Sequence, residues 1–161
     1  MDAMLGPRQG LLLRRLDGSG QAEFAMGLLA TARRIDDAYN ELLVRHDLSG
    51  GRFAALLAVG EAPGITPARL SEELEVKRAT VTGLIDGLVK RGFVVRGSDE
   101  ADRRVQTLTI TPDGEQRVKD VLPLVEQWLC GLTSGIEGNG RKTAWRLLSR
   151  IHDNLGESTG D

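Results

Sequence analysis

Apolar residues recur at helical spacing over most of the chain, and this pattern predicts a mainly α-helical protein. A long amphipathic helix is predicted over 21–46, and the Leu-Ser-Gly-Gly stretch at 48–51 ends it. A shorter helix follows. Near the end of the chain the pattern predicts two more helices, the first interrupted and kinked by Pro123 and the second beyond the glycine-rich segment 131–140.

The middle of the chain is predicted to hold two short helices joined by about three residues. Thr66 and Pro67 mark the first, because a threonine N-cap followed by proline is a strong helix start. The second, KRATVTGLIDGLVKRG, has one apolar stripe and ends at Gly92. Together they form a helix-turn-helix pattern. Two β-prone segments and a polar loop between them then predict a hairpin, over 93–96, 105–110 and 97–104 respectively.

The predicted fold class is therefore mainly α with a small β-hairpin wing, a winged helix-turn-helix flanked by N- and C-terminal dimerisation helices. A chain of 161 residues can bury one compact core but not two independent ones. The flanking helices then need a second copy to cover their apolar faces, and a monomeric helical bundle is the alternative. The predicted regions are an N-terminal extension (1–20), a helical dimerisation region (21–50 and 111–156), a winged helix-turn-helix region (51–110) and a frayed tail (157–161).

Composition excludes several classes of site. One cysteine, Cys130, permits no intramolecular disulfide, and two histidines leave too few soft ligands for zinc. No catalytic constellation or phosphate-binding glycine loop is present, so we expect neither an enzyme nor a bound cofactor. Apolar runs are too short for a signal peptide or a membrane span, and we expect a cytoplasmic protein with no membrane partner.

The net charge of −2 and pI near 5.8 argue at first against binding an anionic polymer. The charge is unevenly placed, however. The segment 76–104 has seven basic and four acidic residues and is +3, so the rest of the chain sums to −5. This distribution predicts contact with DNA through one face only.

The second helix of the pair presents small, polar and basic residues opposite its apolar stripe. Such a face suits entry into a major groove about 12 Å wide, and the alternative is an ordinary solvated helix face. Gly83 costs about 1 kcal/mol relative to alanine inside a helix, which favours close approach to another backbone. The candidate contacts are Lys77, Arg78, Ala79, Thr80, Thr82, Gly83 and Asp86.

The hairpin loop offers a second kind of contact. Arg103 and Arg104 lie at or just past its tip, where a guanidinium can enter a minor groove. Nearby carboxylates can orient these arginines by bidentate pairing, or the loop is simply a solvated turn of mixed charge.

The run TPARLSEELEVKRATVTGLIDGLVKRGFVVRGSDEADRRVQTLTITPDG, over 66–114, resembles the winged helix-turn-helix of the MarR family of bacterial transcriptional regulators. The most recognisable pieces are TVTGLIDGLVKRGFV, the wing ending in DRR, and LTITPDG. The resemblance implies a homodimer that binds an inverted-repeat operator in double-stranded DNA, with Arg78, Thr80 and Thr82 as major-groove or phosphate contacts and Arg103 or Arg104 as the wing contact. One departure is Lys77, where the family usually has a capping Ser, Thr or Asp.

The resemblance also implies a repressor released by a small aromatic or phenolic anion, or by cysteine oxidation. Polar residues that should border a ligand cleft are Arg33, Tyr39, His46 and Arg52. Cys130 lies late in a helix, where a buried, inert thiol is the commoner outcome. The alternative function is a winged-helix protein-interaction module that does not bind DNA.

Overall fold

The computed structural model describes residues 7–13, 15–16, 20–98 and 102–157. Within these residues it has seven α-helices and one two-stranded antiparallel sheet, which confirms the predicted mainly α fold class. The elements are α1 (Pro7–Leu13), α2 (Gly20–Val44), α3 (Gly50–Glu61), α4 (Pro67–Glu73), α5 (Arg78–Lys90), β1 (Val94–Ser98), β2 (Gln106–Ile110), α6 (Pro112–Leu132) and α7 (Gly138–Glu157). The predicted tail beyond residue 157 and parts of the N-terminal extension lie outside the described residues.

Side-chain caps fix where the central helices begin. Ser49 Oγ accepts a hydrogen bond from the Arg52 N–H, and Asn40 Oδ1 accepts one from the Gly50 N–H at 2.9 Å, so two side chains satisfy the first turn of α3. Thr66 caps α4 ahead of Pro67, as the sequence predicts. Because these caps use polar side chains, the apolar faces of α3 and α4 remain free to pack.

The chain packs as two compact units, which divide within α6: residues up to Val125 form the first and residues from Glu126 the second. The core of the first unit lies among the end of α2, α3, α4, α5, the hairpin and the beginning of α6. Its largest fully buried side chains are Leu43, Leu48, Phe53, Leu56, Val59, Leu70, Val81, Ile85, Leu88, Val94, Leu108 and Val121.

The hairpin is longer on its first strand than the sequence predicts. Gly97 and Ser98 belong to β1, where they pair with Thr107 and Gln106 of β2, although their polarity placed them in the loop. An isolated bridge between Ile65 and Leu108 adds the residues just before α4 to this small sheet. The wing is thereby attached to the helix-turn-helix by backbone hydrogen bonds.

The second unit comprises the end of α6 and all of α7, and its large apolar side chains are mostly exposed. Trp145 is 73% exposed, and Leu129, Leu132, Leu147 and Leu148 are exposed as well. Further along the chain, α7 begins at Gly138 rather than after Gly140.

A single helix runs through Pro123, so the predicted interruption of α6 is wrong. Val121 and Val125 are buried on either side of the proline while Pro123 itself is exposed. Burial of these two valines stabilises the helical path across the one backbone hydrogen bond that the proline ring removes.

Candidate nucleic-acid interface

The α5 helix turns the predicted face to solvent. Val81, Ile85 and Leu88 are buried with at most 2% exposure, and they anchor the helix to the core. Every candidate contact residue on the opposite side is exposed: Lys77, Arg78, Ala79, Thr80, Thr82, Gly83 and Asp86. We call this surface the groove face. A β-carbon added at Gly83 would meet no heavy atom within 4 Å, so no packing among the described residues requires glycine there.

The residue at the N-cap position of α5 does not cap the helix with its side chain. Lys77 has the extended conformation of an N-cap but makes no side-chain capping hydrogen bond. The Lys77 carbonyl accepts hydrogen bonds from the Thr80 and Val81 N–H groups, and the Thr82 hydroxyl donates to the Arg78 carbonyl at 3.1 Å.

Asp86 is paired with Arg96 of β1, which connects the groove face to the wing. Both side chains are substantially exposed, at 57% and 38%, so the pair contributes little to stability. It links β1 to the exposed side of α5. Arg96 was absent from the predicted site, because the sequence alone does not place it opposite Asp86.

Arg103 and Arg104 form an exposed turn immediately before β2. The Asp102 carboxylate accepts a hydrogen bond from the Arg104 N–H at 2.9 Å, and the Asp102 carbonyl accepts one from the Val105 N–H. Asp102 thus shapes the backbone of the turn. Residues 99–101, which include the other two acids of the loop, lie outside the described residues.

Helices α3 and α5 meet through a glycine on each. A β-carbon at Gly51 would lie 3.1 Å from Leu84 Cδ2, and a β-carbon at Gly87 would lie 2.5 Å from Arg52 Nε. Arg91 also contacts Gly87, because its guanidinium donates to the Gly87 carbonyl at 2.8 Å. Two arginines, one from α3 and one just after α5, therefore contact the same residue beside the groove face.

The four predicted ligand residues lie in different surroundings. Arg33 pairs with Asp37 on the surface of α2, and His46 lies in the turn that follows α2. Arg52 packs on Gly87. Tyr39 packs its ring on Gly50, and burial raises the pKa of the Tyr39 hydroxyl, which therefore stays protonated near neutral pH. These described contacts do not bring the four side chains around one cavity.

A cavity of about 380 Å³ lies instead between α3, the end of β2 and α6. Its lining is mostly aliphatic, and none of the four predicted residues is part of it. The lining residues are Leu56, Leu57, Gly60, Glu61, Ile110, Glu115, Val118, Lys119 and Leu122. The volume falls in the range of small-molecule sites.

Among the described residues, no group of three or more His, Cys, Asp or Glu side chains could hold a metal ion. No helix in the described ranges combines the length and the apolar character that crossing a bilayer requires. Cys130 is exposed near the end of α6, so the buried location expected for this thiol is wrong. Its side chain lies in the second unit, where most large apolar groups are themselves exposed.

Comparison with known proteins places these features in one family. Residues 46–105 match the model of the MarR family. The transcriptional regulator YybA of Bacillus subtilis is 30% identical over 128 residues, which cover 77% of this chain and 83% of that protein. The transcriptional repressor YetL of the same organism is 29% identical over 107 residues, covering 65% of this chain but 64%, under two thirds, of YetL.

Solved structures resemble the chain over a similar extent. A mutant of MarR from E. coli, complexed with operator DNA, superposes with a TM-score of 0.68 at 27% identity, covering 77% of this chain and 89% of that one.

Proposed function

This chain belongs to the MarR family of transcriptional regulators, and we propose that it binds double-stranded DNA as a homodimer and represses transcription in the cytoplasm of a bacterial cell. Each α5 helix reads the major groove of one half of an inverted-repeat operator, and each wing inserts an arginine into the minor groove. The family and its relatives are transcriptional regulators and not enzymes. DNA binding is supported by the solved MarR complex with operator DNA, and repression by the description of YetL.

One observation carries the DNA-binding proposal. The exposed side of α5 is made of small, hydroxyl-bearing and basic residues around Gly83, while its apolar side is fully packed. Nothing in the described part of the first unit needs that glycine, so its cost in helix stability calls for an external surface that approaches closely. A base-pair edge in the major groove is such a surface.

The homodimer is supported by apolar side chains that the chain leaves in solvent. Phe24 and Leu29 of α2 are more than half exposed. In the second unit, Trp145, Leu147 and Leu155 are more than half exposed too. Terminal helices with faces of this kind are stable when a second copy covers them.

Release from DNA by a small effector is supported by the 380 Å³ cavity. Its aliphatic lining suits a small aromatic ring. Lys119, the one basic side chain in the lining, can pair with an acidic substituent such as a phenolate, in competition with Glu115 at 4.0 Å. Because α6 and β2 both line the cavity, a ligand there contacts the wing as well as the helix.

The DNA-binding proposal is tested by selection from a random-sequence duplex pool with the wild-type protein. We expect an inverted repeat whose half-sites are about one helical turn apart, bound by two chains per duplex, as for other twofold helix-turn-helix proteins. Light scattering of the purified complex gives the stoichiometry. Recovery of no enriched sequence, with interaction partners captured only as proteins, would favour the protein-interaction module instead.

The effector site is tested by a thermal-shift screen of small phenols and aromatic carboxylates, with wild type and Leu122→Trp compared. A ligand present at 100 times its dissociation constant should stabilise wild type by about 2.7 kcal/mol and release the selected duplex. The tryptophan fills the cavity, so the variant should bind the duplex but lose the ligand response. An equal response in both proteins would place the ligand elsewhere.

A further inference from the structure

We propose that Arg52 of α3 and Arg91, which follows α5, form a two-arginine clamp for a phosphodiester anion at the edge of the groove face, with Gly87 as the notch that brings them together. The inference rests on the proposed DNA binding and adds a contact that the sequence did not indicate. The bound anion is a backbone phosphate of the DNA that α5 reads.

The convergence of two cations is the first observation. The Arg91 guanidinium donates to the Gly87 carbonyl at 2.8 Å, and Arg52 Nε lies 2.5 Å from where a β-carbon of Gly87 would stand. Like charges repel, so two guanidinium groups that contact one residue favour an anion beside them. Neither arginine forms an ion pair with any residue that the structure describes.

The unsatisfied donor is the second observation. Arg52 Nε is buried and has no hydrogen-bond partner among the described residues. An unpartnered buried donor of a charged group is destabilising. Burial of Nε against Gly87 holds the guanidinium in place, and its terminal nitrogens, which are not buried and unpartnered in this way, are left to donate to a phosphate oxygen.

The position on α5 is the third observation. Gly87 lies one turn after Gly83 and beside Asp86, at the border between the groove face and the side that packs on α3. Cations on this border lie beside the edge of the DNA major groove that α5 enters. Phosphates line that edge, and contacts to them fix the orientation of the protein on the duplex without reading its sequence.

The clamp predicts a specific change in salt dependence, measured on the duplex selected by wild type. Arg52→Gln with Arg91→Gln should lower affinity about tenfold and flatten the slope of log affinity against log salt by about 0.9 per phosphate in each bound chain. Arg33→Gln with Arg34→Gln removes the same charge from α2 and should leave the slope unchanged.

Gly87→Ala tests the geometry without removing charge. Its methyl group displaces the Arg52 guanidinium from the notch, so the slope should flatten although all cations remain, and the helix should not be destabilised because alanine is the better helix former. Arg91→Gln alone, at an exposed position, covers the case in which the Arg52 variant fails to fold.

The outcomes separate the clamp from the function on which it rests. If the double variant and Gly87→Ala both bind the duplex with the wild-type salt slope, the clamp is overturned and DNA binding remains intact. Failure of wild type to bind any duplex would overturn both. Stabilisation of wild type, but not of the double variant, by inorganic phosphate with no change in the DNA slope would overturn the assignment to the DNA backbone.

Discussion

Gly83→Leu is expected to stabilise the fold and at the same time abolish most DNA binding. Leucine is favoured over glycine inside a helix by close to 1 kcal/mol, and nothing in the described structure lies within 4 Å of the new β-carbon. The unfolding free energy should therefore rise. On the groove face, however, the branched side chain holds α5 away from the base edges, and affinity for the selected duplex should fall by about a hundredfold, or roughly 2.7 kcal/mol.

Gly83→Ala is the matched control for that variant. It gains a similar helix propensity but adds only one methyl group, so affinity should fall between those of wild type and leucine. Urea unfolding and duplex titration are measured on all three proteins at one protein concentration. Leucine binding as tightly as glycine, in a stabilised protein, would mean that α5 does not enter a groove.

Gly114→Ala is expected to destabilise the first unit by about 3 kcal/mol, the upper part of the usual range for overpacking. Gly114 is buried in the first turn of α6, and a β-carbon there would lie 2.2 Å from the Phe93 carbonyl oxygen and 2.8 Å from Ile110 Cγ1. Backbone atoms cannot rotate away as a side-chain end can. The wing and α6 would have to separate.

The junction around Gly114 is tightly bonded, which is why relaxation is costly. The Thr111 hydroxyl donates to the Gly92 carbonyl at 2.6 Å and accepts from the Gly114 N–H at 3.1 Å. The Thr111 N–H donates to the Phe93 carbonyl, and Arg117 lies over the Phe93 ring. Any shift of α6 therefore strains several of these contacts at once.

The measurement is the urea midpoint at constant m-value. Gly131→Ala is the control, since this second glycine of α6 has open space around its β-carbon and should gain rather than lose stability. A Gly114→Ala protein as stable as wild type would show that α6 and the wing do not pack as described.

Local signals in the sequence predicted the elements well where a few neighbouring residues determine the structure. Thr66 with Pro67 gave the start of α4, and the apolar stripe of α5 gave its exposed face. These features depend on neighbours within one helical turn. The strand end at Ser98 was missed because its polarity resembles a loop, whereas its pairing with Gln106 depends on register across the hairpin.

Contacts between distant parts of the chain could not be read in this way. Arg52 and Gly87 are joined only by the packing of α3 on α5, and Asp86 meets Arg96 only because β1 folds back on the helix. One signal was available: Gly87 is a second glycine inside the short α5 helix, and a glycine there implies a large side chain on the helix that packs against it. The interruption predicted at Pro123 was wrong because buried valines on both sides of the proline stabilise a continuous helix.

The central claim is that this chain meets DNA through α5 and the wing, and salt-dependent binding of the selected duplex tests it most directly. For wild type we predict a linear fall of log affinity with log salt, with a slope of about −3.6 or steeper if two chains each neutralise at least two phosphates. Replacing Arg78, Arg103 and Arg104 together with alanine should flatten that slope, whereas replacing Arg33, Arg34 and Arg45 should not. No measurable duplex binding even at about 50 mM salt, or a slope unchanged by the groove-face and wing substitutions, would contradict the account.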